Sequence, residues 1–363
     1  MTPPFPLSCD TPVPMYEVGE PLPEAVAGDP SRLSPEALAE VKSLLGADPK
    51  GFFLQLIKTW LTIIGSIALA VWVNHWALSV LVIFYIGTRQ NILGLLIHEQ
   101  THRLGLQSKA GDHLTNLSCA FPLLITLEGY RRVHLAHHHH YFTHEDPDYR
   151  RKQGREWSFP QRARRFIWTI ITDLVGMNIV RTFKGKAAHD DSDRPLRGTP
   201  LWVRLTFYAV AATSLTLTGA WPIFLIYWFL PLLTVMQVIV RFGAICEHKY
   251  NLVNASMSGS TPMIEPTWWE KLLLPNLNFN LHIYHHWFPA IASTRLPRVH
   301  GIFRREGLVA DANVFHGYIA YVRYLVSLKK ETGIAAGSDN EPAAAVTAPA
   351  RESNAQDEKR PAA

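Results

Sequence analysis

Three groups of histidines define the chemistry this chain can perform. His98 and His102 form an HxxxH, His134, His137 and His138 an HxxHH, and His282, His285 and His286 a second HxxHH. Side chains four apart stack on one face of a helix, so His98 and His102 can share a metal ion. In an HxxHH the imidazoles at i, i+3 and i+4 make a compact triangle. Eight converging imidazoles exceed the four-ligand demand of a zinc site. They suit two ions with roughly three to five nitrogens each and positions left open for a small molecule. Imidazole serves Zn, Cu, Fe and Ni, so ligand type alone does not choose the metal. His98-Glu99-Gln-Thr-His102 also fits H-E-x-x-H, the zinc-protease signature, in which Glu99 is the general base. A protease leaves the six histidines of the other two groups without a role. With two metals, Glu99 instead orients a ligand imidazole by hydrogen bonding.

Elements must bring these groups together. Two long apolar runs, Thr59 to Val73 and Ala77 to Ile97, are separated by Asn74-His75-Trp76. Crossing a bilayer takes about 20 apolar residues in a helix. With Phe52 to Lys58 included, the pair reads as a hairpin out and back. Trp202 to Leu217 and Trp221 to Val240, turning at Thr218-Gly219-Ala220, read as a second. The predicted fold is therefore all-α and membrane-integral, with four spans, interfacial helices and a cytosolic histidine-rich cap. Neither turn holds Lys or Arg. The segment between the hairpins holds Arg131, Arg132, Arg150, Arg151, Lys152, Arg155, Arg162, Arg164, Arg165, Arg181, Lys184 and Lys186. Positive charge favours the inner face, which puts both turns outside and both termini in the cytoplasm, for a bacterium at the inner membrane. Two shorter apolar runs, 114–127 with Pro122 and 166–180 with Asp173, are expected to lie on that face or re-enter from it. Crossings there would separate the histidine groups, whereas two hairpins leave all three on one side.

The rest of the composition bounds the class. Of 363 residues, 48% are hydrophobic and 18% charged, with a net charge of +5. Such a basic balance suits anionic lipid or a positive inner face; with no aromatic-basic motif, nucleic acid is not an expected partner. Cys9, Cys119 and Cys246 are odd in number and far apart, giving neither a disulfide framework nor an iron–sulfur set. The start lacks a basic stretch followed by an apolar core, so it is not read as a secretory signal. Residues 1–45 are expected to be a disordered Pro-rich arm, 46–330 the membrane domain, and 331–363 a disordered Ala/Pro/acidic tail. A metal transporter would place ionisable residues inside the spans, and the hairpins hold almost none.

The ordered triplet HxxxH, HxxHH, HxxHH resembles the integral-membrane fatty acid desaturase superfamily, which includes hydroxylases and terminal-alkene-forming fatty acid decarboxylases. His140-Tyr-Phe-Thr-His-Glu-Asp-Pro-Asp148 and Asn280-Leu-His-Ile-Tyr-His-His-Trp-Phe-Pro289 extend it, over about residues 55 to 305. Cys246-Glu247-His248 resembles a family Glu-His motif, which implies His248 as a ninth ligand. The chain departs from many acyl desaturases in carrying His282 where they have Gln or Glu. It also has Ala244 where acyl-CoA desaturases often have Asn. The resemblance implies a non-haem centre of two Fe ions that uses O2. His139, Asp146, Glu247 and Asn280 join Glu99 as expected hydrogen-bond partners of the ligands. His140 and His144, like His139, are either alternative ligands or, the preferred reading, donors to the ligands, and Asp146 and Asp148 either hold second-box imidazoles or cap a helix after Pro147. His75, His113, His189 and His316 read as surface or interfacial.

Removing hydrogen from an unactivated methylene needs a strong oxidant, which a reduced metal pair and O2 supply. The protein's share is to place one carbon of a fatty acyl chain and keep the site dry. Loss of a second hydrogen gives an alkene, hydroxyl transfer an alcohol, and loss of the carboxyl group a terminal alkene. Turnover takes electrons from outside, and the chain has neither haem, iron–sulfur nor dinucleotide signature. An external donor of the ferredoxin, rubredoxin or cytochrome b5 type is implied. The Arg150–Arg165 stretch either docks it, contacts anionic lipid, or only sets topology.

Overall fold

A computed structural model describes residues 27–159, 161–177, 198–250 and 256–331. Two long helices dominate: α2 (Pro49–Val73) and α3 (Trp76–Thr101). Asp48 caps α2 by accepting from Gly51 N at 3.0 Å, and Pro49 supplies a preset first turn. The hairpin turns at Asn74, which sits at φ 49°, a left-handed conformation Asn tolerates. The second hairpin pairs α8 (Leu201–Thr218) with α9 (Trp221–Glu247) through Gly219 at φ 64°. Helix α9 is interrupted: a π turn over Leu225–Phe229 precedes Pro231, whose missing N–H breaks the backbone ladder, and regular helix resumes at Val235.

Among the described residues, three helices, α2, α3 and α9, are long and apolar enough to cross a membrane. Helix α8 has 18 residues, carries Arg204 and is not among them. Aromatic stacking and close helix approach pack the core of the bundle. Trp60 of α2 stacks on Trp228 of α9 with centroids 5.3 Å apart. Their indole N–H groups donate to Ser118 O at 2.9 Å and Pro122 O at 3.0 Å. Gly87 of α3 lies so close to α9 that an added Cβ would sit 2.6 Å from Val235. Outward faces of α2 and α3 keep Leu54, Leu61, Ile64, Trp72 and Leu81 exposed, a surface suited to lipid.

The run 114–127 is not one helix. Helix α4 (Lys109–Thr115) passes into a π turn at Asn116–Ala120, and a turn leads to α5 (Leu127–His139). Cys119, Phe121 and Leu123 are buried in this segment. After α6 (Pro147–Arg151) comes α7 (Ala163–Leu174), whose Ile167, Trp168, Ile171 and Leu174 are exposed. The expected run to 180, with Arg181, Lys184, Lys186 and His189 beyond it, extends outside the described residues. Asp173 of α7 forms a buried ion pair with Arg241 of α9.

The remainder is a helical cap with one small parallel pair, β1 (Met263–Glu265) and β2 (Val314–His316). Its helices are α10 (Trp268–Leu273), α11 (His282–Trp287), α12 (Leu296–Arg305) and α13 (Tyr318–Glu331). Structure begins before residue 46, contrary to the expected boundary. Helix α1 (Pro35–Ser43) buries Ala37 and Val41, with Leu44, against Leu296, Val299 and Phe303. Arg295 donates to Leu44 O, Gly46 O and Ala47 O at 2.9–3.3 Å, fastening the loop after α1 to the cap. Residues 1–26 and 332–363, the outer parts of the expected arm and tail, lie outside the described residues.

Candidate metal centre

Each histidine group occupies an element end that aims it inward. His98 and His102 close α3, and His134, His137 and His138 occupy the last turns of α5. His282, His285 and His286 make up half of the six-residue α11, which follows Asn278 at φ 66°. His248 leaves α9 in extended backbone, φ −144° and ψ 149°, so its ring departs from the helix axis.

All nine imidazoles meet in one body. The ring nitrogens of His98, His102, His134 and His285 lie within 4.8 Å of one another, as do those of His137, His248 and His286. His138 stands between these sets. Its Nε2 is 3.0 Å from His134 Nε2 and 3.2 Å from His285 Nε2, and its ring is 4.5 Å from that of His286. His282 lies 4.6 Å from His286 and 4.8 Å from His248, ring to ring.

The nitrogen spacing tests whether metals fit. With bonds of about 2.1 Å, neighbouring ligands on one ion lie about 3.0–3.4 Å apart. His134–His102 at 2.9 Å and His286–His248 at 3.2 Å, both Nε2 to Nε2, match that spacing. Both ring nitrogens of His98, with His137 Nε2 and the Nδ1 atoms of His282 and His286, are buried without a hydrogen-bond partner. Such orphans are costly unless something else takes their lone pairs. Burial, with Arg131 nearby, pushes His102 down to about 4. Burial and its imidazole neighbours push His138 down to about 3. The same causes hold His134, His282, His285 and His286 well below 6.5, and burial first holds His248 there too. Neutral imidazoles keep lone pairs available for ligation.

The surrounding hydrogen bonds separate the expected partners. Asp146 Oδ2 accepts from His137 Nδ1 at 2.7 Å and from Phe142 N at 3.0 Å. Its Oδ1 accepts from Asp148 N and Tyr149 N, capping α6. Asp148 is not on an imidazole; it pairs with Lys152 at 2.7 Å and Arg151 at 2.5 Å. Glu99 is corrected likewise. Its carboxylate accepts from Ser293 N at 3.2 Å, which ties α3 to the cap instead of orienting a ring. Asn280 donates to Ile264 O at 2.8 Å and accepts from Asn276 at 3.2 Å. No hydrogen bond joins Glu247 to an imidazole among the described residues; its charged neighbours are Lys152 and Asp148. His139 is exposed, with His140 against it at 4.6 Å. His75 caps α3 from the surface, His113 bonds Thr199 Oγ1 at 2.8 Å, and exposed His316 faces Glu265.

Two contributors escaped the sequence reading. Tyr141 brings its hydroxyl to His248 Nδ1 at 3.3 Å while bonding Ser260 at 2.7 Å and Thr261 at 3.1 Å. It lies three residues beyond the second box, inside the His140–Asp148 run that extends the resemblance, and that placement was the hint the sequence carried. Arg131, counted there as topology charge, donates to Gln100 O, Thr101 O and Asp112. It thereby clamps the end of α3 to the helix bearing the second box.

Histidine clusters that could hold metal, gathered at the ends of apolar helices, fit an integral membrane protein with a metal site. Residues 55–318 match the family described as fatty acid desaturase, and the chain belongs to that family of oxidoreductases. Its members act on fatty acyl substrates in a membrane and normally use iron. Among curated proteins it is similar to dihydrorhizobitoxine desaturase of Bradyrhizobium elkanii, 25% identical over 242 residues, which are 63% of this chain and 68% of that one. The three apolar helices and the family fit an integral membrane protein.

Proposed function

We propose that this chain is an O2-dependent, non-haem di-iron oxidoreductase acting on a fatty acyl chain, with desaturation as its reaction. Hydroxylation and terminal-alkene-forming decarboxylation are the other outcomes open to the same scaffold. The observation that carries the reading is the single body of nine imidazoles, six of them buried and three half-buried, at the ends of apolar helices. His98, His102, His134 and His285 would hold one ion and His137, His248 and His286 the other, with His138 and His282 completing the sets. The bound pair would supply the oxidising power. Asp146 holds the proton on His137 Nδ1 and leaves Nε2 as the ligating atom. Tyr141 fixes the ring of His248. Phe279, packed 4.4 Å from His98, adds to the dry wall around the centre.

On this reading α8 crosses as a fourth span, both hairpin turns face outward, and the termini and metal centre lie on the cytoplasmic side of a bacterial inner membrane. A ferredoxin, rubredoxin or cytochrome b5-type carrier supplies electrons. The zinc-protease reading loses its base, because Glu99 is buried against Ser293.

The test is expression with a ferredoxin and its reductase, followed by profiling of membrane lipids and headspace volatiles. Unsaturated acyl chains are the expected product; hydroxy acids or one-carbon-shorter alkenes would select the other outcomes. Purified protein should carry about two irons per chain, as its ligand set implies. Replacing any one box histidine by Ala should abolish product without loss of membrane insertion. A single zinc, or turnover retained in most of these variants, would refute the shared centre.

A further inference from the structure

A second feature lies outside the metal centre, where an arginine-bearing surface is joined to it by a line of aromatic rings. Arg150 and Arg151 on α6, and Arg155 just beyond, are exposed. Neither Arg150 nor Arg155 has a side-chain partner among the described residues. The same short segment carries Trp157, half-buried, with its ring 5.7 Å from that of Tyr250. Tyr250 is buried, and its ring lies 5.7 Å from His248. Phe142 flanks this path, 5.8 Å from Tyr250 and 5.5 Å from His248. His248 Nε2 in turn lies 3.2 Å from His286 Nε2.

We propose that this surface docks a small acidic one-electron carrier protein of the [2Fe–2S] ferredoxin kind, and that Trp157 and Tyr250 bridge its electron to the metal held at His248 and His286. The inference rests on the proposed function, which requires electrons from outside. Each passage moves one electron: the reduced carrier is oxidised by one unit and the iron pair is reduced by one, with no bond made or broken in between. Two passages serve one turnover. Arg241 stands 4.2 Å over the Trp157 ring and the Lys152 ammonium 5.5 Å from it. Two cations beside an indole oppose formation of its radical cation. The rings therefore serve as a bridge for tunnelling and are not oxidised stopping points.

Charge selects the partner. From Tyr149 to Arg165 the chain carries Arg150, Arg151, Lys152, Arg155, Arg162, Arg164 and Arg165 against Glu156 alone. The cluster divides by neighbourhood. Arg162 and Arg164 head α7, whose exposed Ile167, Trp168 and Ile171 suit the lipid interface. Arg155 shares the short turn Arg155–Trp157 with the indole where the aromatic path begins, and Arg150 lies on α6 just before it. Complementary charge would steer the carrier to that end of the path.

The test uses full-length, iron-loaded protein in detergent and a plant-type [2Fe–2S] ferredoxin, without acyl substrate. The wild type should bind ferredoxin at low ionic strength and lose affinity as salt rises. R150E/R155E should weaken binding about tenfold or more, while R162E/R164E leaves it unchanged. On anaerobic mixing, reduced ferredoxin should be reoxidised about tenfold more slowly by Trp157→Leu, with Trp157→Phe restoring the rate and neither changing ferredoxin affinity. Several results would overturn the proposal. These are no ferredoxin binding by the wild type, equal binding by R150E/R155E, loss in R162E/R164E instead, or wild-type reoxidation by Trp157→Leu. Retained ferredoxin binding in R150E/R155E with lost affinity for phosphatidylglycerol vesicles would assign the surface to lipid and overturn it too. Failure of the proposed function reads differently: ferredoxin would bind and be reoxidised, yet no acyl product would form.

Discussion

The hydrogen bond from His137 Nδ1 to Asp146 decides which nitrogen of that ring faces the other imidazoles. Carboxylates in this position also raise ligand basicity, and losing one typically costs about 10- to 100-fold in metal affinity. Asp146→Asn removes the Oδ2 acceptor that serves both His137 Nδ1 and Phe142 N, while Oδ1 can still cap α6 at Asp148 N and Tyr149 N. We expect D146N to insert and fold normally but to bind iron about 10- to 100-fold more weakly, measured by competition with a chelator. Unchanged affinity would assign Asp146 to the cap alone. Box spacing marked the candidate ligands, which the fold brings together, because helical periodicity is local. Their hydrogen-bond partners were less legible. Asp146 was visible as a carboxylate just past the second box, yet its neighbour Asp148 binds Lys152 instead. Glu99 looked like a ligand's partner because it lies between two histidines. On a helix the adjacent residue points about 100° away, here toward Ser293, which is 194 positions along the chain.

Between elements, a buried polar lock joins α7 to α9. Asp173 and Arg241 are fully buried, and the second contact of the pair, Arg241 Nη2 to Asp173 Oδ1, is 3.1 Å. Removing one member of a buried pair strands the other charge, at a cost of about 3–5 kcal/mol. Asp173→Asn and Arg241→Met should each lower the thermal midpoint in detergent by several degrees or more. The double variant Asp173→Leu/Arg241→Met should recover much of the loss, since an apolar pair leaves no stranded charge. Equal losses in single and double variants would show that packing, including Arg241 against Trp157, outweighs the ion pair. The sequence marked Asp173 as odd within an apolar run, but its partner lies 68 residues away in a stretch that reads as plain span. Arg131 was hidden in the same way, because its targets are backbone carbonyls and sequence patterns do not mark carbonyls.

For the molecule as a whole, the two hairpins were legible because apolar runs and their turns are continuous in sequence. The cap was not. Helix α1 is short and Pro-flanked, so composition made residues 27–45 look like part of a solvated arm. It is held by contacts with Leu296, Val299 and Phe303, far along the chain. Sidedness is the remaining whole-molecule expectation, and α8 decides it. If α8 crosses, the turns after α2 and α8 share one compartment, and the metal centre faces the other. If α8 lies along the membrane surface, the turn at Thr218 falls on the same side as the cap. Single cysteines at His75, Thr218 and Asp311, all exposed, separate these arrangements. Cys9 is replaced by Ser, while buried Cys119 and Cys246 stay. In intact cells a membrane-impermeant maleimide should label His75→Cys and Thr218→Cys, and should reach Asp311→Cys only after permeabilisation. Thr218→Cys behaving like Asp311→Cys would mean that neither α8 nor α9 crosses, since α9 runs from that turn to His248 at the metal centre. Asp311→Cys behaving like His75→Cys would put the cap outside, away from any cytoplasmic electron carrier.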